Sequence, residues 1–320
     1  MANSAPEIEV RQPLSGQNNT LYFDALSDNG RDAVIIMIAP PEDLPRPEPV
    51  GLKAESCHLT IAFLHNADRV FNADCIAKLL PEGSPDDART CVLELAAASY
   101  GVGYLIKCRV PVDGGEMLVE LEWLFVERPE NSNTMPQISS LREIIAARAD
   151  VSGRISVTGR RFGGEKIFHF RGTGYHDRRL TPNSLKSTSQ TGIWARAHFS
   201  NCTVFIESPK AVFPAKDSIF SVLENGCSLV TATEAEIKVK FSALSYPRRF
   251  FINAATGRSD SLTLETSKTI LQSVNSRFCL SKCFYRKPAN EALNGVAICE
   301  IARAKPAFPL IGYALNKFRA

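Results

Sequence analysis

Along most of this chain apolar residues alternate with polar ones or stand in short unbroken runs bounded by Gly, Pro, Asn and Asp. That period of two predicts strands. Leu21-Tyr-Phe-Asp-Ala-Leu26 leads through Asp28-Asn29-Gly30 into Ala33-Val-Ile-Ile-Met-Ile-Ala39. Residues that tolerate a left-handed backbone between two apolar runs predict a hairpin. Further strands are predicted over His58–Leu64, Thr90–Leu95, Val102–Val112 and Glu116–Glu127, the last two flanking a second hairpin signal, Asp113-Gly114-Gly115. The stretch 40–49 holds five prolines in ten residues and predicts a long loop. Leu141–Arg148, rich in Ala and Leu, reads as the best helical segment. The second half adds strands over Gly153–Gly159, Lys166–Arg171, Ile193–Phe199, Cys202–Glu207, Ile219–Leu223, Ile237–Leu244, Leu262–Thr266, Arg277–Tyr285 and Val296–Ala302. Many short strands with turn signals between them predict an all-β protein of sandwich or barrel topology. Two such units joined near 128–150 suit the length: a polar tail over 1–19, a first β domain over 20–150 and a second over 151–320.

Composition fits this picture. A hydrophobic content of 44% suits a soluble globular chain, and 320 residues bury a core without disulfide staples. The net charge of +3 comes with no long Lys/Arg run, which argues against nucleic-acid binding. Nine cysteines without a Cys-x-x-Cys pair read as nine reduced thiols. The N-terminus has no apolar segment of the secretory kind, and no apolar stretch approaches the ~20 residues that span a bilayer. A cytoplasmic location without stable membrane insertion is expected.

The candidate chemistry centres on Gly172-Thr-Gly-Tyr-His-Asp177. It closes a strand-like run from Gly164 to Arg171, and its two glycines predict a sharp turn presenting Tyr175, His176 and Asp177 together. The same residues also fit a hairpin corner whose His and Asp serve only backbone groups. Trp123 and Trp194 lie on alternating strands and suit either core packing or an apolar cavity wall. Arg196 shares a strand face with Trp194 and, if that face is enclosed, needs a carboxylate such as Asp177 or Asp24. His198 continues the same face. No nucleophile elbow, P-loop or zinc-protease motif is present, and the histidines show no metal-ligand spacing, so neither a metal nor a cofactor is expected.

Three runs, Gly153-Arg-Ile-Ser-Val-Thr-Gly159, Gly172-Thr-Gly-Tyr-His-Asp177 and Ile193-Trp-Ala-Arg196, resemble the carotenoid hydratase (hydroxyneurosporene synthase) superfamily. That group includes survival-factor-like proteins and the lipocalin-like Diels–Alderases of fungi, to which this chain is closest in type. Tyr22–Ser27 resembles the family's first strand and Asn294–Arg303 its closing one. The family usually continues after Asp177 with a basic residue or His and then Asn-Trp-Gly. Here Arg178-Arg179-Leu180-Thr181 follows, and Leu180 replaces the customary tryptophan.

The resemblance implies two lipocalin-like β-barrel domains with a ligand pocket at their junction. It also implies a cofactor-independent, Diels–Alderase-like cyclase acting on a hydrophobic polyketide or terpenoid intermediate of fungal secondary metabolism. The catalytic candidates are then His176, Asp177 and Arg196, with Tyr175, Trp194, Asp24, Trp123 and His198 around the substrate. Asp177 could orient His176 or Arg196. Two alternatives stay open: an acid-catalysed hydratase, dehydratase or ionic cyclase using Asp177 and His176, and a lipid carrier without chemistry. The expected partner is a hydrophobic small molecule, and the expected state a monomer or weak homodimer.

Overall fold

A computed structural model describes residues 19–39, 56–80, 91–99, 101–127, 142–180, 192–208, 215–224, 230–242, 247–254, 260–272, 276–287 and 291–302, and structural statements concern these. The proline-rich loop and the polar connector at 129–137 lie outside them.

The first unit is a closed barrel of nine strands: β1 (Asn19–Ser27), β2 (Ala33–Ala39), β3 (Ser56–His65), β4 (Arg69–Leu80), β5 (Val92–Ala97), β6 (Gly103–Val112), β7 (Gly115–Glu127), β8 (Arg142–Gly159) and β9 (Gly164–Leu180). Neighbours pair antiparallel except β4 and β5, which run parallel over Lys78–Leu80 and Val92–Glu94. β9 pairs back onto β1 and closes the barrel. Alternation along each strand sends Leu21, Phe23 and Ala25, Ile36 and Ile38, and Val119, Leu121 and Trp123 into one core. Both expected hairpins form, with Gly30 and Gly114 at positive φ in their turns. A third turn, Asn66-Ala67, also has positive φ. Asp32 pins it by accepting the Asn66 N–H at 2.7 Å.

The second unit is a closed eight-stranded barrel: β10 (Ile193–His198), β11 (Cys202–Ser208), β12 (Ala215–Glu224), β13 (Val230–Phe241), β14 (Pro247–Ala254), β15 (Ser261–Gln272), β16 (Ser276–Arg286) and β17 (Ala292–Ala302). Its core collects Ile193, Ala195, Ala197, Val204, Ile206, Phe250, Ile252, Leu262 and Leu264. The fold class read from the sequence therefore holds, as two lipocalin-like β units.

Four expectations need correction. The Ala-rich segment after Leu141 is the first half of β8, not a helix. Its alanines pack at Ala146, Ala147 and Ala149, and pairing to β7 and β9 overrides helix propensity. β8 runs through residue 150 and β9 closes the first barrel, so the strands of the first barrel extend to Leu180 and those of the second begin at Ile193, instead of dividing at 150. Gly172 and Gly174 lie inside β9, a single 17-residue strand, and make no turn. Cys75 and Cys91 are joined as a disulfide, whereas Cys57, Cys108, Cys202, Cys279, Cys283 and Cys299 are buried thiols.

Candidate functional site

Because β9 continues through the motif, neighbouring residues point to opposite faces. Tyr175 and Asp177 face outward and His176 faces into the first barrel. The three side chains expected to converge are thereby split into two environments.

The outward group is built from a doubled pattern. Tyr22-Phe23-Asp24 on β1 pairs antiparallel with Tyr175-His176-Asp177 on β9, so Tyr22 stands opposite Asp177 and Asp24 opposite Tyr175. On each strand the tyrosine hydroxyl donates to the aspartate two residues on. Tyr22 Oη reaches Asp24 Oδ2 at 3.0 Å and Tyr175 Oη reaches Asp177 Oδ2 at 3.0 Å. All four side chains are fully buried. Arg142 of β8 donates to the same Asp177 Oδ2 at 3.0 Å, and Arg179 Nε lies 3.8 Å from Oδ1. The Arg179 guanidinium also sits 4.2 Å from the centre of the Tyr22 ring, inside cation–π range. Burial, with the Asp177 carboxylate next in weight, pushes the Tyr175 phenol well above its ordinary value, so it keeps its proton. Within the first unit Arg142 and Arg179 supply positive charge at Asp177.

His176 occupies an aromatic cage. Its ring stacks on Phe23 at 3.9 Å with an interplanar angle of 2°. Phe125 lies 5.9 Å away and Tyr104 meets the ring edge-on at 5.4 Å. Nδ1 donates to the Tyr22 carbonyl at 2.9 Å. A carbonyl only accepts, so Nδ1 carries the proton and Nε2 presents its lone pair. Nε2 is buried without a hydrogen-bond partner. Desolvation lowers the imidazole pKa to about 3, against a smaller upward pull from the carbonyl bond. The residue that orients His176 is therefore the Tyr22 backbone, and Asp177 faces away from it.

Trp123 also points into this barrel, 5.6 Å from Phe23, with its indole N–H buried and unpartnered. Gly174 lies against it: a Cβ at Gly174 would come within 2.5 Å of Nε1 and 2.4 Å of Val151 Cγ2. At Gly172 a Cβ would meet the Leu26 carbonyl oxygen at 1.9 Å. The two glycines therefore permit close approach rather than a turn.

In the second barrel Trp194 and Arg196 are buried on the outer face of β10, because Ile193, Ala195 and Ala197 take the core side. The register places Glu207 of β11 and Glu300 of β17 opposite Trp194, one step diagonal to Arg196 on either side. His198, half-buried, meets Thr203 Oγ1 at 3.1 Å. Reasoning from sequence missed Tyr22, Arg142 and Arg179. The repeat of Tyr-x-Asp at 22–24 and 175–177 was the signal for the first. Among the described residues no three His, Cys, Asp or Glu side chains gather as a metal cage.

Neither a family model nor a curated protein matches this chain. Two solved structures share its fold. A candidate AttH protein from Nitrosomonas europaea superposes with a TM-score of 0.54 at 11% identity, covering 93% of this chain and 98% of its own. Kievitone hydratase from Nectria haematococca superposes with a TM-score of 0.52 at 11% identity, covering 91% and 90%. At that identity the likeness concerns the fold.

Proposed function

We propose that this chain is a hydratase-type enzyme that adds or removes water on a hydrophobic small molecule, with the Tyr175–Asp177 pair as its proton carrier. The observation that carries the reading is the fully buried Tyr–Asp–Arg group, in which one carboxylate accepts from a phenol and from Arg142. Addition of water to an alkene needs one group that gives a proton and takes one back. In this scheme Asp177 starts as the carboxylic acid and delivers its proton to one alkene carbon, while Tyr175 keeps its own proton and hydrogen-bonds the carboxylate left behind. Water then bonds to the other carbon, and its surplus proton returns to Asp177. Arg142 and Arg179 stabilise the carboxylate between these steps. The fold shared with a protein named as a hydratase supports the same class of reaction.

A second reading, a cofactor-independent cyclase, is favoured by the interior of the first barrel. Phe23, Tyr104 and Phe125 contact the His176 ring, and both His176 Nε2 and Trp123 Nε1 are buried there without a hydrogen-bond partner. Aromatic walls with two such polar groups suit folding a polyene into a reactive conformer.

Incubation with a panel of hydrophobic alkenes and tertiary alcohols in ¹⁸O-labelled water separates the readings. A hydratase incorporates label into product, and Asp177→Asn abolishes incorporation while ligand quenching of tryptophan fluorescence persists. An unlabelled product of unchanged mass, made as well by Asp177→Asn, shifts the assignment to a concerted cyclase. Binding with no product in either protein leaves a carrier and removes both enzyme readings.

A further inference from the structure

The outer face of β13–β16 in the second barrel is basic and carries outward aromatic side chains, Phe251 among them exposed. Ile237, Phe250, Ile252, Leu262, Leu264, Cys283 and Tyr285 fill the core side of these strands. The alternate positions therefore face outward, and the register lines them up in rows. One row runs Lys238, Phe251, Thr263, Phe284, and the next runs Lys240, Arg249, Glu265, Lys282. Arg286 extends the face opposite Ser261. At about 4.8 Å between strands the four-strand face spans about 15 Å. Phe251, in the first of these rows, keeps 38% of its surface in solvent. Three carboxylates share this face: Glu236 pairs with Lys238 at 3.3 Å, Glu265 pairs with Arg249 at 2.7 Å, and Glu234 is exposed two residues before Glu236. Lys240, Lys282 and Arg286 add to the cations and are exposed.

We propose that this face docks the protein on an anionic lipid surface. Cations interspersed with the outward rings of Phe251 and Phe284 match a bilayer in two ways. The charges meet acidic headgroups, and the rings enter the interface between headgroup and acyl chain. A partner recognised by charge alone has no use for Phe251. The outward rings project from a rigid sheet, so peripheral binding needs no refolding. The inference is independent of the hydratase reading, because it concerns another barrel and its test measures no turnover.

The test is sedimentation of the full chain with large vesicles of phosphatidylcholine alone or with 30 mol% phosphatidylserine (about the composition that gives a strong surface potential). The chain is expected to sediment with the anionic vesicles at low salt and to be released near 0.5 M salt, roughly where screening falls to a few Å. The variant K238E/K240E/K282E should lower the partition coefficient more than about tenfold, and Phe251→Ser about fivefold, with unchanged far-UV circular dichroism. Lys238→Arg should bind as the parent does, which separates charge from fold. Failure to bind anionic vesicles at low salt overturns the proposal. So does equal binding by the triple variant. Tight binding to soluble poly-glutamate with no effect of Phe251→Ser reassigns the face to an acidic macromolecule and also overturns it.

Discussion

At the residue scale, the chemistry of this protein depends on which side of β9 a side chain takes. His176 is neutral in the folded chain, its pKa held near about 3 by desolvation. An unfolded histidine titrates near 6.5. Between those values the unfolded state binds one more proton than the native state, so stability rises with pH and is lost as pH falls from 6.5 toward 3. Unfolding free energies of the parent from urea titration should therefore fall more steeply across that window than those of His176→Phe, by up to about 1.4 kcal/mol per pH unit. Parallel profiles would show that the imidazole reaches water. Tyr175 carries the opposite sign. Its raised pKa stabilises the fold below pH 10, and that contribution is lost as the solution becomes more alkaline. Removing Arg142 should be worse than removing a surface ion pair, because Asp177 is then left buried with one cation fewer. Arg142→Ala is expected to cost about 3 kcal/mol or more by chemical denaturation.

At the element scale, β9 is long and continuous because its inward glycines let the sheet close tightly. A methyl group at Gly174 collides with Trp123 and Val151. Gly174→Ala should cost about 1–3 kcal/mol, read as a drop in Tm. An unchanged Tm would mean that the indole can retreat. The Tyr-His-Asp triplet was visible in the sequence, but its two-sided disposition was not. The glycines suggested a turn, and a turn would have brought all three side chains together. β4 was not legible, since its inward residues Phe71, Ala73, Cys75 and Ala77 are mostly small. β14 was hidden by its opening Pro247-Arg248-Arg249. The Ala-rich start of β8 read as a helix because propensity is local, whereas its pairing partners lie on β7 and β9.

At the scale of the whole molecule, each barrel is closed, and closure removes sheet edges. The first barrel has a weak seam where β4 and β5 pair parallel over three residues. Hydrogen–deuterium exchange should open there first, and last where β8 pairs with β7 and β9 along most of its length. Uniform protection around the barrel would contradict this. Among the described residues no helix is long and apolar enough to cross a membrane.

The sequence by itself determined the fold class, both predicted hairpins, the position of most strands and the candidate status of Tyr175, His176 and Asp177. Those features follow from alternation, turn residues and short motifs, which are local along the chain. Only the tertiary structure decided that β1 lies beside β9. That pairing sets Tyr22 against Asp177, brings in Arg142 and Arg179, and turns His176 onto Phe23. Residues 22 and 177 meet because the barrel closes on itself, and closure is a property of the whole first unit that no local pattern contains.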